Sequence, residues 1–458
     1  MALRRFFIYL AGFVLPPIMY GLVLTFTTIS KVMIHAAPEA LPSPLPVTTR
    51  SPSMKPRAVF LLSGVGTQIL DFLGPAEVLG ESRLFDLVTV SPAENLAPTT
   101  TDLSIVPDFH FGDFKPAKND ILVVPAVVDP AESKLIEWLR TYGPQFKFVL
   151  VAGEGARLAL SAGLLSGHTA TSHFIARHDL VQEAGTATTI KWVWGPRYVV
   201  SGNLITSAGI VASVDAALAL VELAGSPEQA RQISKNLGYD ANNTESYPSL
   251  DPSDFLNIFL HAGYDWNKKA VAVLVYDGAS ELGLGAGLDF FTRTYSAFTQ
   301  STGADRKAFV TRHGLHVVPG TAIAQLAPVD LLIVPSGLRQ GSAESGGALP
   351  PANDPLKDAA VHRWVEERSV PVKSQLFDAP GKSIEQDFSL IQQTIGPRIA
   401  QFAGKLAVFS PKPSAHAPSG GLLDTEDDTL LLWMKPLIIG ILGMFVAWLF
   451  DRKLHPKR

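Results

Sequence analysis

Apolar and polar positions divide the chain into two hydrophobic ends and an alternating middle. Phe6 to Ile29 carries no charged residue, follows Arg4 and Arg5, and is long enough to span a bilayer as a helix. Pro16-Pro17 interrupts it, which neighbouring packing tolerates in a membrane helix. Leu430 to Phe450 is a second candidate span, bracketed by Trp433 and Trp448 as an aromatic belt. Lys435 lies near its outer end, where an ammonium can snorkel. The acidic run Asp424–Asp428 precedes this span and the basic tail 451–458 follows it. Basic residues thus flank the outer ends of both stretches. The positive-inside rule then places both termini in the cytoplasm and the body in the periplasm or outside the cell. A cleaved signal peptide ending near Ala36-Ala37 is the competing reading of the first stretch. Its length and its Pro-Pro interruption fit a signal h-region poorly.

Between the ends, short Val/Ile/Leu runs alternate with helical stretches, which predicts parallel strands buried on both faces. The expected fold is α/β, two flavodoxin-like three-layer sandwich domains with one transmembrane helix at each end. Composition shifts set the boundaries: an N-terminal helix in 1–35, a Pro-rich tether over 36–56 and a first domain over 57–240. A polar connector over 241–252, a second domain over 253–410 and a Pro/Ser/Gly-rich linker over 411–429 follow. The two domains read as copies of one unit. Ala58-Val-Phe-Leu-Leu-Ser-Gly64 matches Val271-Ala-Val-Leu-Val-Tyr-Asp-Gly278, and Asp120-Ile-Leu-Val-Val-Pro125 matches Asp330-Leu-Leu-Ile-Val-Pro335. A helix carrying Trp138 or Trp364 then follows in each. The second copy adds an insertion, Gly337 to Pro355.

Composition narrows the chemistry. A net charge of -4 over 458 residues gives no basic footprint for nucleic acid. The absence of cysteine excludes disulfides, thiolate catalysis and cysteine metal sites. The 11 histidines show no paired ligand spacing, so neither a metal nor any other cofactor is expected.

The strongest local signal is Val149-Leu-Val-Ala-Gly-Glu-Gly-Ala-Arg157, a buried strand turning through Gly-x-Gly into a helix. This is the layout of a nucleophile elbow, with backbone amides placed to hold an anion. Gly153 occupies the tip, where a nucleophile should project, and a glycine cannot perform covalent catalysis. Glu154 follows it. A carboxylate beside a helix N-terminus is held as the anion, a weak nucleophile and a poor base. The simpler reading is that Glu154 caps local amides or fills the anion position itself.

Four segments carry a family resemblance: Leu70-Asp-Phe-Leu-Gly-Pro-Ala-Glu-Val78, Ile121-Leu-Val-Val-Pro125, Ala162-Gly-Leu-Leu-Ser-Gly-His-Thr-Ala-Thr-Ser-His173 and Gly202–Ala217. With these, the first domain resembles the ThiJ/PfpI superfamily, relatives of class I glutamine amidotransferases, and within it the isonitrile-hydratase-like branch. The second resembles the family only in its strand pattern. The resemblance implies an elbow cysteine, an acid on the first loop contacting it, and an oxyanion site of backbone amides. Asp71 matches the acid, Gly153 takes the cysteine position, and His173 falls where this branch has a histidine. Ala126-Val127 replaces the usual Gly-Gly, and the second elbow, aligned loosely with Ala379-Pro-Gly381, also lacks a nucleophile.

The candidate pocket is therefore Asp71, Gly153, Glu154, Gly155, His173 and Ser207. Each has a bland alternative. Asp71 could cap a helix starting near Gly74-Pro75, and Ser207 could cap the helix through Asp215. Glu77 reads as an exposed first-turn acid, and His173 as a satisfied structural histidine. The string Glu281-Leu-Gly-Leu-Gly-Ala-Gly287 is a weak dinucleotide-loop signal. The leading expectation is a membrane-anchored, non-catalytic protein whose cleft binds a small ligand or a partner protein, with a homo-oligomer possible. The alternative is a hydrolase or lyase using Asp71, Glu154 or His173 for acid/base work. A DNA-binding regulator is disfavoured.

Overall fold

The computed structural model describes residues 2–33, 54–185, 189–240, 249–337, 354–412 and 429–454. Most of the Pro-rich tether with the Ala36-Ala37 site, most of the connector and of the 337–355 insertion, the acidic linker and the last four residues lie outside the described residues. Helices used below are α1 (Ala2–Met33), α2 (Ile69–Ser82), α3 (Gly155–Ser161), α4 (Ala212–Ala224), α5 (Pro252–Tyr264), α6 (Glu281–Asp289), α7 (Lys382–Thr394), α8 (Pro397–Leu406) and α9 (Thr429–Leu454).

Runs such as Ile121-Leu-Val-Val124 are buried at every position, which suits the interior of a parallel sheet. The first sheet has seven strands in the order Tyr198–Ser201, Leu204–Ser207, Phe148–Val151, Ile121–Val124, Arg57–Leu61, Asp86–Ser91, Phe109–His110. Only the Tyr198–Ser201/Leu204–Ser207 pair is antiparallel. Its two-residue Gly202-Asn203 loop starts at φ +65°, a conformation that favours glycine at that position of a tight hairpin. The second sheet has five parallel strands, Thr321–Ala322, Ala297–Gly303, Lys269–Leu274, Leu331–Val334, Val372–Ser374.

One bond recurs in both halves. The Asp120 carboxylate accepts from the Arg57 amide at 2.8 Å, and Asp330 accepts from the Ala270 amide at 2.8 Å. Trp138 and Trp364 are both buried on their helices.

The two halves share one hydrophobic core, in which Phe60, Leu70 and Phe72 of the first join Phe290 and Phe388 of the second. Their main contact is α2 against α6. Gln68 caps α2 by accepting from the Asp71 amide, and Ser280 caps α6 by accepting from the Gly283 amide. Each cap also reaches across the interface. Gln68 donates to Asp289 at 3.0 Å, and Ser280 donates to Glu77 at 2.7 Å. The partner lies nine residues beyond the other helix's cap in both cases (68 to 77, 280 to 289). This reciprocity is the signature of an isologous interface, here within one chain. The glycine string over 281–287 is thus not a loop but α6 itself. Its glycines permit close approach: a Cβ on Gly285 would lie 2.5 Å from Leu70 Cδ1. The halves also share a β-ribbon, with Ser104–Ile105 antiparallel to His316–Val318.

Within α1, Leu3–Lys31 is long and apolar enough to cross a membrane by length and composition, its most apolar window reaching a mean hydropathy of 2.0. A shorter apolar stretch, Met434–Phe450, lies in α9. The two helices run antiparallel in close contact, Gly12 against Gly443 and Ala447, and Phe13 against Gly440.

Candidate functional site

The elbow forms where the strand Phe148–Val151 ends. Ala152 donates to the Val124 carbonyl at 2.9 Å, Gly153 turns the chain at φ +52°, and α3 begins at Gly155. Gly155 has no room for a side chain, since a Cβ there would press on the carbonyls of Val124 and Pro125. The turn is therefore built tight, as the Gly-x-Gly spacing predicts.

The space above Gly153 is filled. A Cβ at Gly153 would lie 2.8 Å from Asp71 Oδ2 and 3.0 Å from the Gly209 Cα. Asp71 sits in the first turn of α2, which starts at Ile69 rather than near Gly74, so it caps nothing there. Its Oδ1 accepts from the Ile210 amide at 2.5 Å, while Oδ2 has no hydrogen-bond partner. Burial pushes the Asp71 carboxyl up to about 7, against the opposing pull of the Ile210 amide and the Arg293 charge.

The remaining predicted residues diverge. Ser207 is fully buried and accepts from the Gly209 amide at 3.2 Å; because α4 starts at Ala212, it shapes the turn rather than capping that helix. Glu154 makes no cap bond and does not enter the anion position. Its half-exposed side chain points outward to Arg157 at 3.2 Å, and Arg157 also holds Asp179 and Glu183. The structure thus brings Asp71 and Gly153 together with Gly209, whose amide Ser207 holds, and sends Glu154 elsewhere.

His173 follows the short strand Thr169–Ala170 and is buried. Its Nε2 is 3.0 Å from the Leu406 carbonyl, which can only accept, so Nε2 carries the proton and Nδ1 accepts from the Ile175 amide. Burial lowers its pKa to about 4 despite that carbonyl, leaving a neutral ring with both nitrogens committed.

That carbonyl belongs to the second half. Leu406 is the last residue of α8, Ala407 is its cap and Val408 the next residue, and buried carbonyls at such a helix end need donors from elsewhere. The first half supplies all three: His173 donates to Leu406, the Val211 amide to Ala407 at 3.1 Å, and Arg197 to Val408 at 2.5 Å. Arg197 is set by the buried Asp215, which also accepts from Tyr239 at 2.9 Å. Val408 packs in a small apolar cluster with Ala208 and Ala212. Both Val408 and Ile210 sit at φ +54°, an outlier conformation for β-branched residues that persists only when surrounding contacts enforce it. The segment Leu406–Val408 is thus held by residues of the first half. Arg197, Asp215 and Tyr239 escaped sequence reasoning because no local motif marks them.

Glu77 is not an exposed acid. It is fully buried at the α2–α6 contact, where its carboxylate accepts from Ser280 and from the Leu282 amide at 3.1 Å. Glu281 lies beside it and binds His313 Nδ1 at 2.8 Å, while Arg312 approaches Glu77 at 3.4 Å. Burial alone would lower the His313 pKa, but the adjoining Glu281 carboxylate raises it to about 10. Glu77, Glu281 and His313 lie close enough together for a metal. A charged His313 and Arg312 already balance these acids, so the group is an ion-pair cluster of the interface.

Comparison with known proteins points one way. The DJ-1/PfpI family matches residues 56–223. An isonitrile hydratase of Pseudomonas putida is 31% identical over 194 residues, which is 40% of this chain and 81% of that protein. Among solved structures, a THiJ/PfpI family protein from Pseudomonas syringae is 25% identical, with a TM-score of 0.36 over 44% of this chain and 83% of its own. Schizosaccharomyces pombe DJ-1 is 18% identical, with a TM-score of 0.35 over 40% of this chain and all of its own.

Proposed function

We propose that this chain, which belongs to the DJ-1/PfpI family through residues 56–223, is a membrane-anchored, non-catalytic member whose former cleft holds part of the chain itself. The observation that carries the reading is the crowding at Gly153. The first atom of any nucleophilic side chain would fall 2.8 Å from Asp71 Oδ2 and 3.0 Å from Gly209. Neither Glu154 nor His173 is placed to act instead. One faces outward, and the other has both ring nitrogens bonded.

The partner seated beside this site is the end of α8 with the two residues that follow it, and the carbonyls of Leu406, Ala407 and Val408 are bound by His173, Val211 and Arg197. Chemistry of the family has given way to docking, and the tandem works as a rigid scaffold. In this reading α1 and the Met434–Phe450 stretch of α9 cross the membrane together, both termini are cytoplasmic, and the sandwich domains stand in the periplasm or outside the cell. The full-length protein purified in detergent should turn over no isonitrile, amide or glyoxal substrate. Turnover of any of these by the wild type would overturn the non-catalytic reading. A reporter active only outside the cytoplasm, fused to the C-terminus, should stay silent.

A further inference from the structure

The junction between the apolar helices and the second domain carries an apolar surface that the fold leaves uncovered. Helix α5 lies on the outer half of α1. The Tyr264 hydroxyl donates to the Pro17 carbonyl, the Phe259 ring covers Gly21, Gly263 backs onto Gly21 and Thr25, and Thr28 donates to the Ala262 carbonyl at 2.8 Å. On another side α5 is tied to the second domain, through Lys405 to Asp251 and Asp254 and through His261 to Ser296 at 2.7 Å. What remains outward includes Phe255, 61% exposed, and Leu256, 41% exposed. Trp266, just beyond the helix, is 57% exposed, and the adjoining outer stretch of α1 leaves Phe26 75% exposed.

The same junction has the composition of a membrane–water boundary. Lys435, near the start of α9, donates to the Tyr264 carbonyl at 2.7 Å and stands 4.8 Å from the Trp266 ring centroid. Tyr20 meets Trp266 edge-on at 6.4 Å. An ammonium, an indole and two tyrosines at one level are what an interface selects, because each has an apolar body and a polar tip. Soluble surfaces rarely gather large apolar side chains in this way.

We propose that α5, through Phe255, Leu256 and Trp266, is an interfacial helix seated in the headgroup–acyl boundary of the same bilayer that α1 crosses. The argument for lipid as the occupant is continuity, since α5 packs directly on the apolar helix and shares its aromatic level. This inference rests on the membrane anchoring proposed above and adds to it that the second domain lies against the membrane surface rather than standing clear on a tether.

The absence of cysteine supplies the test background. Single variants Phe255→Cys, Leu256→Cys and Trp266→Cys change exposed positions. They are compared with Leu10→Cys in α1 and with Val181→Cys, a half-exposed site on the solvated helix Arg177–Ala184. Each full-length protein is labelled with an environment-sensitive fluorophore and reconstituted in phosphatidylcholine/phosphatidylglycerol vesicles containing nitroxide lipids. Labels introduced at 255, 256 and 266 should be quenched several-fold more than the one at 181, and more by shallow than by deep nitroxides. The label at 10 should respond best to deep ones. If position 10 is quenched while 255 and 256 match 181, the anchor stands and the interfacial helix is refuted. Blue-shifted but lipid-unquenched labels at 255 and 256 would refute it too, assigning the face to another protein or a second copy. If position 10 itself is unquenched, the anchoring reading fails and takes this inference with it.

Discussion

A side chain at Gly153 should cost more than its backbone conformation alone can explain. The φ of +52° imposes roughly 1–2 kcal/mol on any non-glycine residue. Crowding adds to this, because the new Cβ would meet Asp71 Oδ2 at 2.8 Å and the Gly209 Cα at 3.0 Å. Gly209 is itself at φ +84° and offers backbone rather than a flexible side chain to give way. Overpacking a rigid, buried site costs about 1–3 kcal/mol, so Gly153→Ala should destabilise by roughly 2–5 kcal/mol. Gly163 is the control, with φ +82° and nothing within 4 Å of its Cβ position. Gly163→Ala should therefore carry only the backbone part, about 1–2 kcal/mol. Urea unfolding of the detergent-solubilised protein, followed by tryptophan emission, gives both values. Equal losses at the two positions would mean that the cleft has room, and the closed-site argument would fail. Gly153→Cys should fold poorly and stay inactive; isonitrile hydration by that variant would refute the reasoning outright. Adding Asp71→Ala should recover part of the loss, since it removes the nearer obstruction, and residues in contact couple non-additively.

Three further outcomes follow from the geometry. Arg197→Met leaves Asp215 buried without its cation and Val408 without its donor, and should cost roughly 3–5 kcal/mol in the same unfolding assay. Asp71 is held neutral by burial, with a folded pKa of about 7 above the ordinary 3.8, so its contribution is intact below pH 3.8 and is lost as the pH rises toward 7. Asp71→Asn should match wild type near pH 4 and exceed it near pH 8 by at most about 4 kcal/mol; a pH-independent difference would contradict the assignment. His313 is raised to about 10 from 6.5, so the interface gains its full contribution below pH 6.5 and loses it as the pH climbs toward 10. In His313→Gln the unfolding midpoint should fall less between pH 7 and pH 10 than in wild type.

Features that depend on neighbours in sequence were legible in the chain. Unbroken apolar runs such as Ile121–Val124 specify buried parallel strands, and the Gly-x-Gly at 153–155 specifies the elbow. The matching strand segments specify a repeat, which the Asp120 and Asp330 amide bonds repeat atom for atom. What depends on the other half of the chain was illegible. Glu77 looks like a surface acid until α6 covers it with Ser280 and Leu282. Gly285 looks like part of a ligand loop until Leu70 and Leu73 of α2 are laid against it. Arg197 stands in Trp-Gly-Pro-Arg, a stretch with no chemical signature, and its role exists only because α8 ends beside it.

The placement of those carbonyls bears on why the site is closed rather than merely empty. A buried helix end must find donors for its last carbonyls; in α8 the amides of Ala407, Phe409 and Val408 serve Ala403, Gly404 and Lys405, and His173 of the first half serves Leu406. His173 can donate to Leu406 and accept from the Ile175 amide at once only while neutral with its proton on Nε2, and burial keeps it neutral. The acid that would face a nucleophile has turned its Oδ1 to the Ile210 amide, in a loop whose left-handed Ile210 lies next to Val211, the donor to Ala407. Asp71, Ile210, Val211 and α8 thus form one connected set of contacts. Restoring a thiol at Gly153 would require Asp71 and the Gly209–Val211 loop to move, and that movement would release the end of α8. In the non-catalytic reading proposed above, docking of the second domain and a nucleophile at the first elbow would compete for the same few ångströms.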